Sequence, residues 1–587
     1  MSPTGKTMSP KVMFHNAASN IICQVLFARR YKYDDELIKL FVEVFTEVSK
    51  IVNGPWATLY DSFPIIRNLP LPFQKAFKKM EIYKNLSRRM VSEHRETRVP
   101  GEPRDFIDCY LDELEKVKSK RPKNFPPGPP VFPILGTILQ LSLENPLKDF
   151  ERLRKSYGDV YSIYIGQKPA VVINGLKAVK EVMVTKAADF AGRPQDFFIN
   201  DITKRKGVVM IDYGSSWREH RRFALMTLRN FGLGKNSMED RIHEEIKHLV
   251  STLEESVGKT MSPRVMFHNA ASNIICQVLF ARRYEYDNAL IKQIVQCFTE
   301  NTKMVNGPWA MLYDSFPIIR NLPLPFQKAF QNVETCRNII IDLINEHKKT
   351  RVPGEPRDFI DCYLEELEKR GNDRSSFSED QLIMYSIDLY IAGTDTTSNT
   401  LLTGFLYLMN YPHIQEKCQQ EIDQVLEGKD QATFEDRHKM PYIQAVIHEI
   451  QRVANTVPLS VFHCTTKDTE LMGYSIPKDT VIIENLTSVL SEEGQWKFPH
   501  EFNPENFLDD KGEFVKPEAF MPFSAGPRMC LGEGLARMEL FLIMVTLLHK
   551  FKFIWPEDAG EPDFTPVYGI TMTPKPYDMK VQLRMPQ

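Results

Sequence analysis

The sequence predicts a large, mainly α-helical domain with a small β-sheet region. Between residues 217 and 426, apolar residues recur at helical spacing over long stretches, one of them about 30 residues long. Runs typical of strands are short and confined to a few places near residues 160–173 and 457–483. With 587 residues, the chain can bury a substantial core.

The first element along the chain is a repeated block. Residues 5–116 recur as residues 258–369 at a constant offset of 253, and about three quarters of the positions are identical. The linker 117–130 is basic and then rich in proline, which makes it stiff and marks a boundary. We therefore interpret 1–116 as a partial duplicate and 123–587 as one complete domain. Fused genes or a mis-joined gene model would produce this arrangement, and a regulatory module is the alternative.

The next elements alternate between helix and strand. Residues 146–158 predict a helix that ends at Gly158, followed by strands at 160–165 and 170–173. Further strands are predicted at 457–461 and 480–483. The second copy of the block is joined to the domain at both ends. It is expected to occupy the core, with the first copy packing peripherally or weakly.

Two helical segments carry polar residues that call for an explanation. Trp217 and Arg221 are four positions apart, so they share a helix face that either is solvated or meets an anion. Gly393, Asp395 and Thr396 interrupt the apolar helix near residues 386–409, where their propensity disfavours helix. Such a conflict often marks a functional site. The alternative is two shorter helices, the second capped by Asp395 or Thr396.

Composition excludes several classes of function. A net charge of −2 and a pI near 6.7 argue against a nucleic-acid partner recognised by bulk charge. Nine cysteines are scattered without CxxC pairs, which favours a reducing compartment. We find no signal peptide and no apolar run of 18 residues, so no membrane-spanning segment is expected.

The most specific signal is the loop Phe523-Ser-Ala-Gly526-Pro-Arg528-Met-Cys530-Leu-Gly532. A cysteine that ligates haem iron must stay deprotonated, with backbone N–H groups aimed at its sulfur and a cation for the haem propionates. Glycines allow close approach of the backbone, and the following helical segment would direct its N-terminus at the sulfur. The alternative is one buried cysteine beside a turn.

This loop resembles the cysteine loop of the cytochrome P-450 family of haem-thiolate monooxygenases. The segment Ala392–Thr396 matches the family's Ala/Gly-Gly-x-acid-Thr pattern, and Glu449 to Arg452 matches its Glu-x-x-Arg. The resemblance covers residues 123–587 and is nearest to vertebrate microsomal family 2, subfamily J-like. It implies the P-450 fold, in which a long central helix lies over haem b and the cysteine loop lies beneath it.

The resemblance also implies roles for individual residues. Cys530 would be the axial iron ligand, with Thr396 binding dioxygen, Asp395 relaying protons and Gly393 leaving room over the iron. The remaining haem-binding residues would be Arg528, Phe523, Gly532, Trp217, Arg221, Arg193 and His463. A structural lock would join Glu449 and Arg452 to Asn506, which replaces the family's arginine. The substrate pocket would consist of Phe197, Phe198, Tyr390, Ile391, Ala392, Val457, Leu459, Val461 and Ile570, without charge selection.

The implied reaction is hydroxylation or epoxidation of hydrophobic substrates, such as arachidonate and other polyunsaturated fatty acids, or xenobiotics. Electrons would come from NADPH through a flavoprotein reductase, with cytochrome b5 as a further partner. The implied location is the cytoplasmic face of the endoplasmic reticulum membrane, contacted through residues 312–326, for which core packing is the alternative. Two other functions remain open: a non-catalytic or non-functional haem-binding fusion product, and a haem-thiolate isomerase or lyase. The acid–alcohol pair Asp395–Thr396 argues against the lyase.

Overall fold

The structure is a computed structural model in which two compact units divide the chain at residue 121. It describes residues 10–32, 35–52, 72–119, 122–132, 136–137, 140–142, 145–231, 238–305, 307–316, 319–371, 376–429 and 431–584. None of the helices in these ranges is both long and apolar enough to cross a membrane.

The first unit consists of helices from the first copy of the block. They are α1 (Pro10–Phe27), α2 (Glu36–Val52), α3 (Pro72–Thr97) and α4 (Phe106–Ser119). A small core forms around Cys23, Phe27, Met90, Ile107 and Leu111.

Local networks are the same in both copies of the block. In the first unit, His94 Nε2 lies 2.7 Å from a carboxylate oxygen of Asp105, and in the second unit His347 lies 2.7 Å from Asp358. The repeated sequence therefore encodes the same turns and caps twice.

The second unit is mainly helical, as the sequence predicts. Its helices are α5 (Leu147–Tyr157), α6 (Gly175–Lys180), α7 (Ala187–Phe190), α8 (Phe198–Ile202), α9 (Ser215–Phe231), α10 (Met238–Glu255), α11 (Arg264–Phe280), α12 (Ala289–Val305), α13 (Pro308–Ser315), α14 (Gln327–Thr350), α15 (Phe359–Arg370), α16 (Glu379–Asn410), α17 (Pro412–Val425), α18 (Pro441–Ala454), α19 (Leu486–Leu490) and α20 (Glu533–Lys550). Its strands are β1 (Val160–Ile165), β2 (Lys168–Ile173), β3 (Thr260–Met261), β4 (His463–Cys464), β5 (Thr469–Leu471), β6 (Tyr474–Ile476), β7 (Val481–Glu484), β8 (Phe551–Ile554) and β9 (Met579–Leu583).

The strands form three small sheets. The largest has the order β1-β2-β7-β4, in which β2 and β7 are parallel and the outer pairs are antiparallel. The others are β3-β9-β8 and the hairpin β5-β6. Strand β3 opens the second copy of the block, so its pairing with β9 ties that copy to the C-terminal end of the chain.

Helix α16 is the central element of the core, and α11 from the second copy packs along it. The rings of Phe267 and Phe405 stack at 5.0 Å, and Ser272 and Tyr390 share a hydrogen bond of 2.7 Å. The side chain of Ser378 caps α16 by accepting the N–H of Gln381. Because α16 is continuous over 32 residues, the alternative of two shorter helices is wrong.

The strand predicted at 457–461 is also wrong, because these residues form an irregular loop. Pro458 has no N–H to give to a ladder, and Ser460 has a left-handed φ of 54°. The strand predicted at 480–483 is present one residue later, as β7. The first predicted helix ends where expected, at Gly158 with φ 91°.

Within the segment 312–326, two aromatic residues are buried, whereas residues 321–323 and 325 are exposed. Tyr313 and Phe326 are buried in a cluster with Phe198, their rings 4.9 and 6.4 Å from its ring. Leu322 is exposed, whereas residues 317–318 lie outside the described ranges. Core packing therefore accounts for Tyr313 and Phe326 but not for the exposed residues 321–323 and 325.

Candidate active site

The cysteine loop is a tight turn between the largest sheet and α20. Gly526 has φ 71°, and a side chain there would lie 1.8 Å from the carbonyl oxygen of Met183. This glycine is therefore required by the protein's own backbone. The N–H of Cys530 donates to the carbonyl of Phe523 at 3.0 Å, which fixes the direction of the cysteine.

The thiol of Cys530 lies in an unusual electrostatic environment. The residue has exposed surface, yet protein surrounds it closely enough for desolvation to raise the pKa of its thiol. The backbone N–H groups of Gly532 and Glu533 and the charge of Arg221 lower this pKa but do not compensate for burial. This combination describes a sulfur on the floor of a recess. It would become a thiolate readily only beside a further positive charge, such as a metal ion.

Three guanidinium groups lie near this recess. The N–H groups of Arg193 donate to the carbonyls of Val209 and Val461 at 2.9 and 2.7 Å, and Arg221 donates to the carbonyl of Met529. Arg528 donates to carbonyl oxygens of two other loops and lies 4.0 Å over the ring of Trp217.

No carboxylate in the described part of the chain forms an ion pair with these three arginines. Burial, reinforced by the neighbouring arginines, lowers the pKa of Arg528 to about 8 and that of Arg193 to about 10. The buried Nη1 of Arg528 has no hydrogen-bond partner. A buried cation cluster of this kind is costly without an anionic ligand.

Two other residues expected to bind propionates make contacts within the protein. The indole N–H of Trp217 donates to the carbonyl of Val208 at 3.2 Å. Nδ1 of His463 lies 2.9 Å from the carbonyl of Phe190, which assigns the proton to that nitrogen. Burial and the nearby arginines hold the pKa of His463 well below its usual value, so the ring is neutral and its Nε2 is an acceptor. Nδ1 of His463 is therefore engaged within the protein, and its binding to a propionate stays a prediction.

Sequence reasoning missed the loop 207–212, which joins these parts of the site. Its carbonyls accept from Trp217, Arg193 and Arg528, whereas its N–H groups at Val208 and Val209 donate to Asp388 of α16 at 2.7 and 3.0 Å. Burial raises the pKa of Asp388 to about 6. An acidic residue in the middle of an apolar helix was the sequence signal for it. It lies one turn before Ala392 and holds loop 207–212 against α16.

The middle of α16 presents an open face. Ala392 is exposed although it lies in the centre of a mostly buried helix, and Thr396 follows one turn later. The hydroxyl of Thr396 donates to the carbonyl of Ala392 at 2.7 Å, and Asp395 accepts a hydrogen bond from the hydroxyl of Thr571. A side chain at Gly393 would lie 3.0 Å from Ile275 of α11. The lack of a side chain at this position allows close helix packing.

The residues expected to line a substrate pocket fall into two groups. Those with open or partly open surface are Ile391, Ala392, Val457, Val461 and Ile570. Those buried in the core are Phe197, Phe198, Tyr390 and Leu459. Phe198 packs among aromatic rings under α13, and the hydroxyl of Tyr390 is bonded to Ser272, so neither meets an open cavity here.

The residues of the predicted lock are in contact and buried. Arg452 makes two hydrogen bonds of 2.7 Å to Glu449 and donates to the carbonyls of Leu490, Pro499 and Glu501. The amide of Asn506 donates to both carboxylate oxygens of Glu449, at 3.2 and 3.3 Å. This network holds α18 to the segment that precedes the cysteine loop.

Glu539 is a further buried acid that the sequence did not single out. It lies on α20 with its Oε2 unpartnered, and its side chain meets the hydroxyl of Thr397 on α16. Burial raises the pKa of this carboxyl to about 8. The folded protein therefore keeps Glu539 protonated at neutral pH, where the unfolded chain, with an ordinary value of 4.5, loses the proton.

Glu539→Gln is expected to remove part of the pH dependence of stability. Because the pKa of Glu539 is higher in the folded than in the unfolded protein, its protonated carboxyl contributes fully to the free energy of unfolding of the wild type below about pH 4.5. This contribution is lost as the pH rises toward 8. At about 1.4 kcal/mol per pKa unit, the variant should be a few kcal/mol more stable than the wild type at pH 8. The two proteins should be similar near pH 5. Urea unfolding at both pH values measures this, and parallel pH profiles would contradict the assignment.

These observations together fit haem as the ligand. A recessed thiol with two N–H groups directed at it offers an iron ligand, and a buried cation cluster with an unpartnered guanidinium nitrogen matches a dianionic macrocycle. The exposed Ala392 and Thr396 give a helix face free of bulky side chains.

Comparison with known proteins agrees with this fit. The family model for cytochrome P450 matches residues 2–124 and 126–581, so both units carry its signature. Cytochrome P450 2J2 of Homo sapiens is 43% identical over 79% of this chain and 93% of its own length. Cytochrome P450 2D9 of Mus musculus is 40% identical over 81% and 96%. Cytochrome P450 2J5 of Mus musculus is 42% identical over 76% and 89%. The chain belongs to the cytochrome P450 family, among relatives of the microsomal family 2, and is a haem-thiolate monooxygenase that receives electrons from a reductase.

Proposed function

We propose that residues 123–587 hydroxylate or epoxidise hydrophobic substrates, either polyunsaturated fatty acids such as arachidonate or xenobiotics. The observation that carries this proposal is the recessed thiol of Cys530 beside three arginines that form no ion pair within the described residues. The apolar open residues Ile391, Ala392 and Val461 support a hydrophobic substrate.

Haem b would be held by Cys530 at its iron and by Arg193, Arg221 and Arg528 at its propionates. When bound, it supplies an iron that activates dioxygen, and a thiolate ligand favours cleavage of the O–O bond. Phe523 fixes the cysteine through its carbonyl, and the backbone N–H of Gly532 favours a negative charge on the sulfur.

Thr396 and Asp395 would control protons on the open face of α16. Thr396 keeps its hydroxyl on the helix by donating to Ala392, and it can turn toward a ligand that offers an acceptor. Asp395, held by the hydroxyl of Thr571, can receive a proton from solvent and pass it to the threonine. This acid–alcohol pair is the feature that favours a monooxygenase over a lyase.

Thr396→Ala is expected to separate consumption of dioxygen from product formation. Without the hydroxyl, product per electron supplied should fall by roughly 100-fold, the low end of what a positioned proton donor contributes, and hydrogen peroxide should rise. Thr403→Ala is a matched control, because that threonine donates to Asn399 at 2.9 Å in the same way but is buried two turns away. Product, peroxide and reductant are measured together. Unchanged coupling in Thr396→Ala would contradict the role.

The electron donor would be NADPH through a flavoprotein reductase, with cytochrome b5 as a second donor. A basic face on α9 supports the binding of an acidic electron-transfer partner. This face borders a cavity of about 310 Å³, which is lined by Trp217, Arg218, Arg221, Arg222, Leu225, Met226 and Arg229. Flavoproteins and cytochromes that present carboxylates would match such a surface. We place the enzyme on the cytoplasmic face of the endoplasmic reticulum membrane, with the exposed Leu322 in segment 312–326 as one contact.

We further propose that residues 1–116 take no part in haem binding. All groups assigned to the site lie between residues 193 and 571, and the first copy of the block has no counterpart of the cysteine loop. The linker 117–130 then separates the duplicate from the catalytic domain.

The reduced, carbon-monoxide-bound spectrum of the purified protein tests the proposed function. Thiolate ligation gives a Soret band far to the red of ordinary haem–carbon monoxide complexes. A band at the position typical of imidazole ligation, or failure to bind haem, would refute the assignment of Cys530. Product analysis with arachidonate and with a neutral xenobiotic then distinguishes the two substrate classes.

A further inference from the structure

Helix α1 of the first unit is nearly identical in sequence to a segment that is buried in the second unit. Residues 10–27 and 263–280 agree at 17 of 18 positions. In the second unit, four apolar residues of α11 are 0–4% exposed, because they pack in the core that surrounds α16; these are Phe267, Ile274, Ile275 and Val278. Their counterparts in α1 are 57–67% exposed, namely Phe14, Ile21, Ile22 and Val25.

The exposed residues form one stripe along the helix. With Ala18, which is also exposed, they are spaced 4, 7, 8 and 11 positions from Phe14, the spacing of a single helix face. The opposite face is covered, since Cys23 and Phe27 are buried in the core of the unit. Helix α1 therefore packs on one face and exposes a continuous apolar stripe on the other. The first unit has no counterpart of α16 in its sequence that could cover this stripe.

Charge indicates what kind of partner covers this stripe. Residues 1–121 contain 21 lysines and arginines against 15 acidic residues, a net charge of +6, whereas the rest of the chain contains 53 against 61, a net charge of −8. Arg29 and Arg30 are exposed at the C-terminal end of the stripe. An apolar helix face in a basic unit suits a surface of anionic lipid, where acyl chains cover the apolar residues and headgroups meet the cations. Two copies of the unit facing each other would bring like charges together.

We propose that α1 attaches the protein to anionic membranes through the stripe formed by Phe14, Ala18, Ile21, Ile22 and Val25. This attachment is separate from the chemistry of the catalytic domain. It gives the duplicated block a function that does not require haem.

Co-sedimentation of the full-length protein with vesicles tests the proposal. The vesicles contain phosphatidylcholine alone or with 30% phosphatidylserine, as an experimental choice of roughly physiological surface charge. The test variant is Ile21→Glu with Ile22→Glu. The matched control is Phe77→Glu with Ile82→Glu on α3, where 51% and 49% of the side chains are exposed, so that charge and lost apolar surface are similar.

We expect the wild type and the α3 control to bind the anionic vesicles, with binding that weakens as salt is raised. The α1 variant should bind at least fivefold more weakly. All three should keep the same carbon-monoxide spectrum, which reports an intact catalytic domain. Equal binding by the α1 variant, or equal loss in both variants, would overturn the proposal. It would also be overturned if light scattering without lipid shows a wild-type dimer that the α1 variant dissociates, since the stripe would then bind a second copy.

Discussion

Cys530→Ser is expected to abolish product formation, by roughly 1000-fold or more, while leaving the fold intact. A loss of that size corresponds to about 4 kcal/mol of activation free energy. The reason lies in the recess around residue 530. Two backbone N–H groups and Arg221 favour a negative charge on the sulfur, although burial opposes it. Serine has nearly the same shape, but its hydroxyl is far less acidic than a thiol and does not become an anionic ligand comparable to the thiolate.

The carbon-monoxide spectrum and thermal unfolding distinguish loss of the ligand from loss of the fold. In the serine variant the red-shifted band should disappear, whereas the unfolding temperature should change by no more than a few degrees. Cys109→Ser makes the same chemical change at an exposed cysteine of the first unit and should alter neither quantity. If Cys530→Ser keeps the red-shifted band, another residue is the ligand and the assignment of the site is wrong.

Much of the fold could be predicted because its strongest signals are local. The end of the first predicted helix at Gly158 and the apolar period of α16 are both encoded within a few residues of where they act. The continuity of α16 through Gly393 was harder to predict, since propensity favours a break there. It is decided by tertiary packing, because Ile275 occupies the space beside the glycine.

The loop at 457–461 shows where local patterns fail. Its apolar alternation resembles a strand, but Pro458 cannot join a ladder and Ser460 takes a left-handed conformation. The same limit explains the site residues that sequence reasoning missed. Asp388 holds loop 207–212, which lies nearly 180 residues earlier in the chain, by accepting hydrogen bonds from the N–H groups of Val208 and Val209. Such a contact between distant residues cannot be predicted from the spacing of residues within one segment.

Hydrogen bonds between side chains and backbone carbonyls that are distant in sequence could not be predicted either. Trp217 and His463 have the chemistry of propionate donors, but the structure engages their N–H groups with the carbonyls of Val208 and Phe190. The arginines were easier to assign because a guanidinium has five donors and can bind carbonyls while keeping one for a ligand, as Arg528 does with Nη1.

Arg452→Met is expected to be among the most destabilising single changes in the catalytic domain. The substitution leaves the carboxylate of Glu449 buried without its cation, which typically costs about 3–5 kcal/mol. It also strands the carbonyls of Leu490, Pro499 and Glu501, which accept hydrogen bonds from the guanidinium. Since folded domains are stable by only about 5–15 kcal/mol, most of the protein should lose its haem or aggregate on expression.

A graded series separates this effect from a general sensitivity to lost charge. Arg452→Lys should recover little, because an ammonium group cannot bind the carboxylate in a bidentate way and reach three carbonyls at once. Asn506→Ala removes hydrogen bonds to Glu449 but no charge, so it should cost about 1.5–3 kcal/mol. Lys552→Met breaks an exposed pair with Glu416 and should cost about 1 kcal/mol or less. Urea unfolding of the haem-loaded proteins ranks the four variants. If Arg452→Met ranks with Lys552→Met, the buried network does not hold the segment before Cys530 in place, and the position of the thiol depends on the sheet and α20 instead.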